Sequence, residues 1–284
     1  MNRTRMTGML GLLLAASLLL PGTAMAVGTA DLSEGVPTPA GSLMLDTSKG
    51  MSPDRITDAT GFTVSDSYPG ITEQGTYWTP QMKGASLLVH DVGEWTDQAG
   101  ANHAMDMRVT VTDWHGLAAL NIRHIDNEDR VEFGAIAGSW ADPAPDRTWI
   151  ELRLDLTASD GADLTGFTGV TGFADLDGGT TGYNEGWELI SGFDTVYTMA
   201  DAHLTRYGDN GWAGSTDENE YTQDDHGLKH YIGATFDSTS LTVRYGIAAG
   251  QSRATTLMPL STVSTWPLTY DLNAGTGAIP NKEQ

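Results

Sequence analysis

The stretch HAMDMRVTVTDW, His103–Trp114, decides the fold class. Met105, Met107, Val109 and Val111 fall on one face, and Arg108, Thr110 and Thr112 on the other. That period of two marks a strand with one face in a core. LAALNIRHI, Leu117–Ile125, follows His115-Gly116, which reads as a short turn between strands. TWIELRLDL, Thr148–Leu156, alternates Trp149, Glu151, Arg153 and Asp155 against Ile150, Leu152, Leu154 and Leu156. ASLLVHDV, Ala85–Val92, repeats the pattern upstream, and Ser42–Asp46 reads as a short edge strand. Further strands are predicted at Arg130–Ala137, Gly169–Leu176, Gly186–Ile190, Thr195–Met199, Lys229–Phe236 and Leu241–Ala248, with hairpin turns at Asp126–Asp129 and Asp237–Ser240. No amphipathic helix of useful length stands out. About ten to twelve strands punctuated by Gly and Asp predict an all-β antiparallel β-sandwich of jelly-roll type.

The N-terminus, MNRTRMTGMLGLLLAASLLLPGTAMA, places Arg3 and Arg5 before an apolar run and ends in Ala-Met-Ala. This is the pattern of a secretory signal peptide, so residues 1–26 are expected to be removed. Loss of the two arginines takes the formal net charge from −22 to −24. No later apolar run reaches the roughly 18 residues of a transmembrane helix. Such acidity argues against nucleic acid, which needs a basic footprint. It suits an exported chain, secreted or associated with the cell surface, in a medium that supplies divalent cations. The chain has no cysteine, which excludes disulfides, thiolate metal sites and cysteine nucleophiles. Residues 27–58, rich in Pro, Gly and small residues, are expected as a spacer. Residues 59–250 form the sandwich domain, long enough for one sizeable core, and residues 251–284 form a C-terminal strand and tail segment.

Two segments carry the candidate site residues. FADLDGGTTGYNEGWEL, Phe173–Leu189, sets Asp175 and Asp177 at the end of one strand and Glu185 at the start of the next. Three readings of these acids stay open. They hold a hard cation such as Ca²⁺, which takes six to eight oxygens at about 2.3–2.6 Å. Alternatively they form a glycosidase pair across a sugar cleft. The plainest reading is a solvated hairpin. The EF-hand pattern is excluded, because Thr180 and Gly186 stand where its Gly and Glu belong. The second segment, Arg206–Gly227, reads as a long irregular loop with Tyr207, Trp212 and Tyr221 among six acids. Its aromatics are candidates for stacking on a sugar or docking a protein, or Trp212 folds back to cover the end of the sandwich. The seven histidines show no zinc-protease spacing, and no G-x-S-x-G elbow is present. Lys229 is the best-placed donor for an intramolecular isopeptide bond, against the ordinary reading of a surface lysine.

Phe173, Asp175, Leu176 and Asp177, followed by Glu185, Gly186 and Trp187, resemble a pattern in the N-terminal β-sandwich regions of Gram-positive surface and pilin-type adhesins. There, a strand ending in Phe-x-Asp-hydrophobic-Asp is followed by a Glu-Gly-hydrophobic strand. The resemblance spans Phe62–Gly250 and implies a non-enzymatic binding module whose partner is a glycan or an extracellular protein. A Ca²⁺-dependent carbohydrate-binding module and an extracellular polysaccharide hydrolase are the alternatives. No sortase-type motif with an apolar segment and basic tail closes the chain, so release, or retention by another partner, is expected.

Overall fold

The structure is a computed structural model that describes residues 27–68, 74–125, 129–137, 149–176, 178–179, 182–183, 185–215, 225–247 and 252–265. One layer is an eight-stranded sheet in the order Leu204–Tyr207, Gly211–Gly214, Glu185–Ser191, Ser240–Ile247, Trp149–Ala158, Asn102–His115, Ser86–Thr96, Ile56–Thr60. Every neighbouring pair in it is antiparallel. The alternation set the register. Met105, Met107, Val109 and Val111 are fully buried, and Ile150, Leu152, Leu154 and Leu156 stand beside them at no more than 3 % exposure. Burying each such side chain contributes about 1.5–3 kcal/mol.

Two five-stranded sheets cover that inner face, and all three share one apolar core. The first runs Gly28–Asp31, Thr195–Thr198, Ile232–Phe236, Gly169–Phe173, Leu43–Met44. The second runs Ser252–Thr255, Val131–Ala137, Leu117–Ile125, Gly75–Pro80, Phe62–Ser65. Thr47 stitches their seam. Its amide donates to the Leu257 carbonyl (2.8 Å), its carbonyl accepts from Val131 (2.8 Å), and its hydroxyl accepts from the Leu257 amide (3.0 Å). The molecule is thus an all-β sandwich, as the alternation predicts.

Several local expectations are refined or corrected. The short turn expected at His115-Gly116 is present, and at Gly116, with φ 65, it turns a corner between layers, since Asn102–His115 and Leu117–Ile125 belong to different sheets. Residues 27–58 are woven into the fold. Gly28–Asp31 pairs in parallel with Thr195–Thr198, Val36–Pro39 pairs in parallel with Thr262–Thr265, and Ile56–Thr60 edges the large sheet. Leu32, Val36, Leu43 and Leu45 in this segment are fully buried. The Val36–Pro39 ribbon lies over the first five-stranded sheet and encloses a second small core of Leu32, Val36, Val170, Ala174, Tyr231 and Leu260. The Arg206–Gly227 segment is also less irregular than expected. Leu204–Tyr207 and Gly211–Gly214 form a hairpin, and Asp225–Leu228 is a single helical turn. Counting short elements, the described residues hold 22 strands rather than ten to twelve.

Candidate functional site

A cleft of about 580 Å³ opens at the Gly169 end of the first five-stranded sheet. Its walls come from three segments: Pro39–Gly41, Trp95–Gln98, and Gly166 with Thr168. Thr265, at the end of the outer ribbon, completes them. Trp95, the last residue but one of the strand Ser86–Thr96, is 2 % exposed, because its ring packs on Phe167 (centroids 5.9 Å apart) and His103 (5.5 Å). At the lip, the Thr96 amide donates to the Gly41 carbonyl (2.9 Å). Gly41 sits at φ 85, and a Cβ there would stand 3.0 Å from the Thr96 carbonyl oxygen. Glycine therefore fits this approach without strain.

Beyond Trp95 the chain turns on Asp97. One carboxylate oxygen accepts from the amides of Ala99 and Ala101, both at 2.8 Å, which holds the turn to Asn102. The other faces His103 Nε2 at 3.4 Å, while His103 Nδ1 meets Asp160 at 2.8 Å. A histidine thus bridges two carboxylates from different loops. Asp160, and to a lesser degree Asp97, raise the His103 pKa above 6.5 against the opposing effect of burial. Asp97 is held below its usual value by the Ala101 amide first, then by His103 and the Ala99 amide. Asp160 is held down by His103 and then by the Ala162 amide.

A second hollow of about 190 Å³ shares Pro39 and Thr168 with the first and runs on to Asp194, Tyr197 and Thr235. Burial raises the Asp194 pKa, and Asp237 adds to it. Together the hollows present hydroxyls, the Gln98 amide, prolyl and aromatic rings and two carboxylates. No Lys, Arg or His is among their lining residues. The chemistry on offer is hydrogen bonding and ring stacking for a polar ligand, neutral or cationic.

The residues singled out in the sequence lie elsewhere. Trp212 is 3 % exposed: it pairs with the fully buried Trp187 on the core side of the large sheet, and the Arg206 guanidinium lies 4.8 Å from its ring centre. Of the two pictures of this ring, the structure shows the one folded onto the sandwich. Tyr207 is half-buried with its ring against Gly211. Glu185 is buried, and the Tyr245 hydroxyl donates to its carboxylate. Asp175 is half-buried at φ 60. Tyr221 and Asp177 lie outside the described residues. Among the described residues no three or more His, Asp or Glu side chains are grouped to hold a metal ion.

Sequence reading missed both the cleft and a histidine pair. His203 Nδ1 stands 3.3 Å from His230 Nε2, with the rings at 89°. Twenty-seven residues separate the two, and no local motif announces them. The turn TDQAGAN between two alternating strands was a legible cue to the Asp97 wall.

No known protein-family profile matches the chain, and no curated protein matches it. Among solved structures, the chain is similar to the N-terminal domain of the Streptococcus gordonii adhesin Sgo0707, with a TM-score of 0.52 and 11 % identity. The match covers 82 % of this chain and 66 % of that one. At this identity the likeness is one of fold, and it agrees with the resemblance carried by Phe173–Trp187. No helix among the described residues is long and apolar enough to cross a membrane.

Proposed function

We propose that the protein is an extracellular, non-enzymatic binding module of adhesin type, and that the Trp95–Asp97 cleft is where it takes its ligand. The observation that carries the reading is the cleft itself. It is a concave site with convergent polar groups at the end of a rigid sandwich, on a fold shared with an adhesin domain. The signal-like N-terminus and the acidic charge support export. The lining favours a polyhydroxylated glycan or a polar segment of an extracellular protein over an anionic ligand, because Asp97 and Asp194 line it and no Lys, Arg or His does.

The test is a screen of the purified mature protein against a glycan array and a panel of extracellular matrix proteins. Each hit is repeated with Ala40→Trp, which fills the cleft from an exposed position. Loss of binding with an unchanged melting temperature is expected. Binding retained by the variant places the ligand elsewhere and removes the cleft from the reading.

A further inference from the structure

We infer that His203 and His230 are two ligands of a transition-metal site of the Zn²⁺ class. The site lies at the far end of the first five-stranded sheet from the cleft and stands independently of it. The separation of the ring nitrogens is the first argument. An N–H hydrogen bond ordinarily spans about 2.7–3.2 Å. Two imidazole nitrogens each about 2.0–2.1 Å from one tetrahedral ion stand about 3.3–3.4 Å apart. The observed 3.3 Å is a long hydrogen bond between the rings, and it is also the separation that two ligands of one such ion take.

The orientation of His230 is the second argument. Its other nitrogen, Nδ1, donates to the Leu176 carbonyl at 3.2 Å. A carbonyl only accepts, so the proton is on Nδ1 and the Nε2 lone pair is aimed at His203. Metal-ligating histidines are characteristically set this way, with the second N–H held by a backbone carbonyl. The ring is also fully buried, so its aim is fixed.

Backbone bonds pin both residues from three segments. The His230 amide donates to Gly227 (3.0 Å), and its carbonyl accepts from Leu176 (3.0 Å). The His203 amide donates to Lys229 (2.8 Å), and its carbonyl accepts from Ser215 (2.9 Å). Such a pair costs little ordering when an ion arrives. The nearby cation does not oppose it, because the Lys229 ammonium is engaged by Asp201 at 2.7 Å.

On binding, the ion replaces the proton between the rings. His203 coordinates through Nδ1, and its proton leaves to solvent or is taken at Nε2. His203, being half-buried, gives access from solvent, and water completes the coordination sphere. A borderline ion that favours imidazole is selected over Ca²⁺ or Mg²⁺, which favour oxygen.

The experiment is a ZnCl₂ titration of chelator-stripped mature protein by calorimetry, with His203→Ala alongside and circular dichroism as the folding control. One saturable site per chain is expected, with affinity reduced more than about tenfold in the variant. Histidine ring ¹⁵N spectra give an independent reading in the unaltered protein. Zn²⁺ shifts His203 Nδ1 and His230 Nε2 and leaves the His230 Nδ1–H in place, whereas CaCl₂ moves neither. Absence of saturable Zn²⁺ binding, equal affinity in His203→Ala, or shifts confined to other histidines overturns the inference.

Discussion

Gly169–Phe173 and Ile232–Phe236 are neighbours along their whole length, yet their two ends treat polar groups in opposite ways. At the Gly169 and Phe236 end the flanking segments part, leaving Asp97, Asp194 and a row of hydroxyls facing open space. At the Phe173 and Ile232 end the chain closes on itself. The Leu176 amide donates to the His230 carbonyl and the His230 ring donates back to the Leu176 carbonyl, Glu185 takes the Tyr245 hydroxyl, and Trp187 lies between Phe173 and Tyr245 with centroids 4.6 and 4.9 Å away. One end stores rigidity so that the other can afford an opening. Asp175 and Glu185, singled out in the sequence, therefore mark the closed end, while the exposed chemistry lies at the other.

Three changes test the contrast between the two ends. Trp187→Ala removes the fully buried ring of the closed end and is expected to cost about 3–5 kcal/mol in urea denaturation. A loss below about 1 kcal/mol would show that this end does not carry the stability assigned to it. Gly41→Ala touches the open end instead. At φ 85 and against Thr96 it is expected to cost about 1–3 kcal/mol, read as a lower melting temperature. An unchanged melt would show that the lip relaxes freely.

The smallest effect is one of pH. The raised His103 pKa contributes stability that is complete below 6.5 and lost as pH rises through the folded value. The lowered Asp97 and Asp160 values contribute stability present above 3.8 and lost as pH falls through their folded values. The bridge is therefore strongest between about pH 4 and 6.5. Amide exchange in residues 97–102 is expected to be slower at pH 6 than at pH 8 after correction for intrinsic rates, and His103→Ala is expected to abolish the difference. An NMR titration placing His103 below 6.5 would contradict the bridge.

The parts of the fold that could be read from the sequence are those where burial repeats locally. Met105 to Val111 and Ile150 to Leu156 announced their face because one side of each strand meets the core and the other does not. Val36–Pro39 announced nothing: two prolines read as a spacer, and the strand's partner, Thr262–Thr265, lies more than two hundred residues away. Proline is tolerated there because the ribbon has only two strands, leaving an outer edge that needs no donor. Gly211–Gly214 was equally silent. It carries no β-branched residue, and Gly211 is small because the Tyr207 ring lies on it. The cleft and the histidine pair depend on strands brought together by such pairings, so neither has a signature within any one stretch.

The parallel ribbon has a mechanical consequence. Val36 begins one of its strands and Thr265 ends the other, so a pull between those two residues slides the strands past each other along their length. The bonds between them then bear the load together, as in a lap joint, instead of opening one after another like a zip.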